Sequence, residues 1–161
     1  MTGALRQRRL DVIEEHFRSE VAHDWEACLA TFAGHSRYEL MATGTVHDGD
    51  DEVLAYQRGQ RAAFPDQHHE HVRIHVADDD TVITEFDLVA TNTGEFYGQP
   101  PTGRGFRVPV IAVFFFEGDH IVNERVYFDS ASVLRQIGQT ALVPLAGTEV
   151  SLLTPHGAQG S

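Results

Sequence analysis

The sequence predicts one domain in which helices and an antiparallel sheet share a core, and three observations carry that expectation. Phe106 to Phe116 is a long run of β-branched and aromatic residues, which is a strand signal. Gly118 and Asp119 then form a tight turn, so the next run, His120 to Phe128, should fold back antiparallel. Upstream, Leu10, Ile13, Phe17 and Val21 recur at near-helical spacing.

Taken in order, Leu10 to Ala22 reads as a first helix. Asp24 can cap a second, with Trp25, Cys28, Leu29 and Phe32 on its buried side. Cys28 there reads as a small core hydrophobe. Arg37 to Ala42 is a short strand with Tyr38 and Leu40 inward, followed by a polar loop holding Gly44, His47, Asp48 and Gly49. Asp50 or Asp51 can cap a third helix that Pro65 ends after Phe64. Gln67 to Val76 alternates Val72, Ile74 and Val76 against His69, His71, Arg73 and His75. Asp78-Asp79-Asp80 reads as a solvated turn. Thr81 to Asn92 is a further strand, with Val82, Phe86, Leu88, Ala90 and Asn92 in one phase and Glu85 and Asp87 in the other.

In Phe106–Phe116 the even positions face the core, and Ile111, Val113 and Phe115 leave the opposite face apolar as well. A second subunit is the expected cover, which makes a homodimer the expected assembly. In the following strand Val122, Glu124, Val126 and Phe128 share the inner phase, while Ile121, Asn123, Arg125, Tyr127 and Asp129 share the outer. Ser130 to Ile137 is a short helical pattern with Gly138 as its stop. Residues 1–142 therefore form a single domain, and 143–161, rich in Gly, Thr and Pro around Leu152-Leu153, a C-terminal extension.

Composition narrows the chemistry. A formal charge of −12 and a pI near 5.1 disfavour nucleic acid and anionic membranes as partners. All 12 basic residues are arginine, so Schiff-base chemistry, pyridoxal phosphate attachment and a phosphate-loop lysine are excluded. The single cysteine, Cys28, excludes an intramolecular disulfide and cysteine-rich zinc sites. No nucleophile elbow, dinucleotide loop or zinc-protease helix is present. The polar, Arg-rich start shows no signal-peptide core and no run reaches membrane-span length, so a cytoplasmic protein is expected. What remains is cofactor-free acid–base work or positioning.

Gln99-Pro100-Pro101-Thr102-Gly103-Arg104, the apolar strand, Arg125-x-Tyr127-Phe128-Asp129 and the closing Leu134-Arg135-Gln136-Ile137-Gly138 together resemble the SnoaL-like polyketide cyclases. Ala63-Phe64-Pro65-Asp66 and Thr93-Gly94 fit the same pattern, and the resemblance runs from about Leu10 to Gly138. It implies an α+β fold, a cone-shaped curved antiparallel sheet packed against three N-terminal helices, shared with ketosteroid isomerase and nuclear transport factor 2. The same comparison implies that the usual catalytic groups are gone. The family's acid/base aspartate falls on Val126, its histidine on Ala112 and its asparagine on Leu40, with Tyr38 surviving beside it. The Arg-x-Asp pair of limonene-type epoxide hydrolases would fall on Phe86 and Leu88. That fold hosts many functions, so chemistry has to be argued from the site.

The expected pocket is walled by Leu40, Phe86, Leu88, Val108, Val110, Ala112, Phe114, Val126 and Phe128, with His47 near its mouth. Tyr38, Asn92 and Glu124 are the candidate catalytic residues. Glu124 is either a buried proton shuttle with a raised pKa or a solvated residue at the strand's outer end. Asn92 either donates to a substrate carbonyl or closes the turn before Gly94. Tyr38 either bonds a ligand oxygen or satisfies itself near the core surface. Asp129 reads as a helix cap pointing away from the cavity on which Val126, Ala112, Phe86 and Leu88 converge. His69, His71 and His75 on one strand face could share a metal, but without a carboxylate to complete the set a solvated or interface face is the better reading, and no metal or cofactor is expected. The expected function is a cofactor-free cyclase, isomerase or dehydratase acting on an apolar oxygenated small molecule. The rivals are a non-catalytic binding protein of the same fold and, third, an epoxide hydrolase.

Overall fold

The computed structural model describes residues 1–77 and 80–139. The expected extension 143–161, and Asp78 and Asp79 of the acidic turn, lie outside the described residues.

Helix α1 spans Gly3–Ala22, starting a full two turns before the expected Leu10. Thr2 caps it, its side chain accepting from the Leu5 N–H, and His23 ends it in the left-handed conformation. The early start was hidden because its anchor is an arginine. Arg9 is buried, donates from Nε to the Gly118 carbonyl at 2.7 Å and lies 5.1 Å over the Phe116 ring. The buried stripe is thus rotated from the apolar one: His16 and Glu20 turn inward with Ile13 and Phe17, and Val21 is exposed. Helix α2, Trp25–Ala30, is capped by Asp24, and Cys28 is buried as expected.

Strand β1 (Arg37–Leu40) buries Tyr38 and Leu40, and the expected polar loop around His47 contains a second short strand, β2 (Thr45–Asp48). Helix α3 (Asp50–Ala63) begins on Gly49 rather than on an aspartate cap. Asp50 instead accepts from the Ser36 N–H and hydroxyl, while Asp50, Asp51 and Glu52 fill a first turn that favours negative charge. At its other end the Thr93 and Gly94 N–H groups both donate to the Ala63 carbonyl at 3.1 Å. A Cβ at Gly94 would overlap the Ala62 carbonyl oxygen, so only glycine allows this approach.

Strands β3 (His68–Val76), β4 (Thr81–Thr91), β5 (Gly105–Glu117) and β6 (His120–Tyr127) complete a six-stranded sheet in the order β2-β1-β6-β5-β4-β3. The sheet is mixed, because β1 runs parallel to β6 while the other pairs are antiparallel. Its inner face packs on the helices around Ile13, Phe64, Phe114 and Ile121.

Two bulges decide which side chains face inward. In β6 the register passes from Phe115↔Asn123 to Phe116↔Ile121, leaving Val122 as the extra residue. Ile121, expected outside, is therefore fully buried together with Glu124, and Val122 is only half-buried. In β3 the pairing jumps from Glu70↔Asp87 to Arg73↔Glu85, and His71 takes φ 55. Expected on one face, the three histidines are split: His69 turns inward, while His71 and His75 lie outside on Asp87 and Glu85 at 2.9 and 2.8 Å. Helix α4 (Ser130–Ile137) follows β6, with Asp129 as its cap and Gly138 at φ 76 as its stop.

Candidate functional site

Helices α1, α3 and α4 close over the concave face of the sheet and leave a mostly apolar cavity with about 80 Å³ open to water-sized molecules. Of the expected walls, Leu40, Phe86, Leu88, Val110, Val126 and Phe128 line it. Val108, Ala112 and Phe114 do not: they are buried in the core beneath the lining, where β5 packs on the helices. His47 also stays out of the lining and stacks on Tyr56 at 4.6 Å. Asn92, fully buried, is spent on the backbone, its amide nitrogen donating to the Gly94 carbonyl and its oxygen accepting from the Thr102 N–H, both at 2.9 Å. It closes the turn and does not face the cavity. Asp129 accepts from the N–H groups of Ala131 and Ser132 at 3.0 and 3.2 Å, outside the cavity.

Glu124 and Tyr38 do line the cavity, side by side, because parallel pairing of β1 with β6 sets them in register. The Glu124 carboxylate is buried, and its Oε2 lies 3.2 Å from His16 Nε2. The other His16 nitrogen, Nδ1, is 2.9 Å from the Thr31 hydroxyl, which itself donates to the Cys28 carbonyl at 2.6 Å. Since that hydroxyl has spent its one proton, Nδ1 must carry a proton and donate it. The Nε2–Oε2 contact then holds one shared proton, as imidazolium and carboxylate or as imidazole and acid. Burial opposes charge on His16, but the Cys28 sulfur and the Glu124 carboxylate outweigh it and hold its pKa well above the ordinary range. Burial, aided by Glu20, raises the pKa of Glu124, with His16 pulling the other way. Both shifts act in the same sense, toward the pair's holding on to its proton. Oε1 of Glu124 makes no hydrogen bond among the described residues.

A second polar group sits beside this pair, one turn along α1 from His16, and the apolar spacing gave no sign of it. Glu20 of α1 accepts from Gln57 Nε2 at 2.7 Å and lies 3.8 Å from His16 Nε2 and 3.6 Å from His69 Nε2. Burial disfavours its charge, yet His16, Arg61 and the Gln57 bond win and its pKa is lowered. His69 lies stacked on Phe17 at 4.3 Å, and burial pushes its pKa down to about 4. Tyr38 is held well above the ordinary tyrosine range by burial, so its hydroxyl stays a donor. The one legible cue to Glu20 and His16 was their i, i+4 spacing on a helix that also carries Phe17.

His16, Glu20 and Cys28 bring a nitrogen, an oxygen and a sulfur within 4.8 Å of one another, a spacing that a metal ion can use. Both His16 nitrogens are already committed to Thr31 and Glu124, which favours the hydrogen-bonded network over an ion. Among the described residues no helix is long and apolar enough to cross a membrane.

Comparison with known proteins agrees with this architecture. The profile of the SnoaL-like polyketide cyclases matches residues 12–137. IdmH of Streptomyces antibioticus, a candidate polyketide cyclase, is 27% identical with a TM-score of 0.69, covering 81% of this chain and 98% of that one. AclR of Streptomyces galilaeus, a candidate hydroxylase, is 20% identical with a TM-score of 0.70, covering 84% and 88%. A Catenulispora acidiphila protein with a ketosteroid isomerase-like fold is 20% identical with a TM-score of 0.68, covering 80% and 92%. No curated protein matches the sequence. The profile match over most of the chain and the shared fold lead to one conclusion: the protein belongs to the SnoaL-like polyketide cyclase family, which supports a cyclase-type role in general terms.

Proposed function

We propose that the protein is a cofactor-free cyclase or isomerase for an apolar, oxygenated, polyketide-like molecule, with Glu124 as its proton carrier. One observation carries the reading: a buried carboxylate lines an apolar cavity with one oxygen tied to His16 and the other without a hydrogen bond among the described residues. Oε1 would take a proton from a carbon beside a carbonyl and return it elsewhere on the ligand. The Tyr38 hydroxyl, in register beside it, would donate to the carbonyl oxygen as charge builds there. Relative to the family pattern the acid has moved two residues along β6, from Val126 to Glu124, roughly 7 Å at the strand's rise per residue. Its histidine partner comes from α1 in place of β5.

A binding protein without catalysis is the second reading, favoured by the apolar Val126, Ala112 and Leu40 at the family's catalytic positions. Turnover of polyketide-like β-dicarbonyl compounds by the wild type and by Glu124→Gln separates the two. Loss of turnover in the variant supports the enzyme, and turnover equal in both refutes the role of Glu124. The outer sheet face, with Ile111 and Tyr127 each 42% exposed, supports pairing with a second copy. Sedimentation at micromolar concentration should then give a dimer, and a monodisperse monomer would contradict it.

A further inference from the structure

The β3 bulge gives the cavity a feature that the shuttle at Glu124 does not use. It turns His69 inward, and the ring is fixed there, stacked on Phe17 and set edge-on to Phe86 at 4.8 Å and 87°. A ring held on two sides presents its nitrogens in set directions. Nε2 faces Oε2 of Glu20 at 3.6 Å, and the other Glu20 oxygen is anchored by Gln57. A carboxylate opposite Nε2 favours the tautomer with the proton on Nε2, which leaves the Nδ1 lone pair bare. Nδ1 has no hydrogen-bond partner among the described residues, yet it is not shut off from open space, and His69 lines the cavity. Burial and the Arg61 cation both work against a second proton on this ring. The site therefore holds a neutral, oriented acceptor on the β3 wall, opposite the Tyr38 and Glu124 pair on β1 and β6. An acceptor in an apolar, aromatic-lined cavity is costly to leave unmatched, so it selects for a ligand that brings a donor.

We infer that His69 is a specificity-determining residue whose Nδ1 accepts a hydrogen bond from an aromatic hydroxyl on the ligand. The cavity then prefers molecules that carry such a hydroxyl over the same skeleton without it. This rests on the reading of the cavity as the ligand site, but it does not need Glu124 to transfer a proton.

The test uses 2-naphthol and 2-methoxynaphthalene, which share a body and differ in the O–H donor, on the full chain labelled with ¹⁵N. In the free protein at neutral pH, the His69 Nδ1 resonance should be that of an unprotonated nitrogen. It should move on addition of 2-naphthol and stay in place with the methyl ether. The affinities should differ by about two- to tenfold, the span of one net hydrogen bond. His69→Phe keeps a ring against Phe17 and should make the two affinities equal, whereas Glu124→Gln and Tyr38→Phe should keep the preference. A protonated Nδ1 in the free protein, an Nδ1 signal unmoved by 2-naphthol, or failure of both compounds to bind overturns the inference. So does a preference that survives His69→Phe. If Glu124→Gln removes the preference, the acceptor is Glu124 and the inference fails while the proposed shuttle stands. Unchanged turnover in Glu124→Gln would remove the shuttle and leave the hydroxyl preference intact.

Discussion

Glu124→Gln is expected to lower turnover by about 10²–10⁴-fold, the usual contribution of a positioned acid–base group, without lowering the melting temperature. The physical reason is that one residue carries opposite signs for the two properties. Burial disfavours the charged carboxylate, so the native state tolerates an ionisable group that a neutral isostere would relieve. Glutamine keeps the shape and can donate from its amide to His16 Nε2, whose partner Nδ1 already donates to Thr31. The variant should therefore be as stable as the wild type or more so, while unable to take a proton. Thermal unfolding followed beside turnover reads both quantities. A variant that loses activity and several degrees of stability together would show that Glu124 mainly holds the core, and the shuttle would lose its support.

The second large effect is expected in the acid limb of stability. His69 titrates at about 4 in the folded protein against 6.5 for a free histidine, because burial opposes its charge. Below pH 6.5 the unfolded chain binds a proton that the native state refuses, so stability falls as pH drops toward 4. A difference of 2.5 units corresponds to about 3 kcal/mol at 1.36 kcal/mol per unit. Glu124 acts in the opposite sense, since a raised folded pKa lets the native state bind its proton first as pH falls. The His69 contribution is thus isolated by comparing the wild type with His69→Phe in urea at pH 7, 5.5 and 4. The variant should gain about 3 kcal/mol on the wild type across that range. Parallel pH profiles would mean that His69 is not buried as a neutral ring.

Much of the fold was legible because its signals are local. The run Phe106–Phe116 alternates as expected, with Phe106, Val108, Val110, Ala112, Phe114 and Phe116 all buried. Asp129 before Ser130 and Gly138 after Ile137 mark the ends of α4 as their side-chain chemistry requires. Strand phase pointed Glu124 and Tyr38 inward but left open whether Glu124 was buried or solvated, and only the parallel pairing of β1 with β6 set the two side by side. His16, Glu20 and His69 were not legible. An apolar moment cannot report a helix that buries a histidine and a glutamate, because those residues are inside only through partners on other elements. Nor can alternation report the inward turn of His69, since it depends on where β3 is bulged against β4.

By itself the sequence determined the family, most of the elements and six of the nine expected walls, because motifs, capping and period-two alternation are read over neighbouring residues. Strand β2 and the placing of Val108, Ala112 and Phe114 beneath the lining came only with the fold. The partner of the carboxylate was decided only by the tertiary structure. His16 and Glu124 lie 108 positions apart, and each buries a polar atom against the other. The facing pair, Glu20 and His69, came together in the same way, when α1 was laid across the sheet and a bulge of one residue reversed the phase of β3. Burial of charge is a property of the assembled neighbourhood rather than of any stretch of chain, and so the chemistry of this cavity was settled where the strands and helices meet.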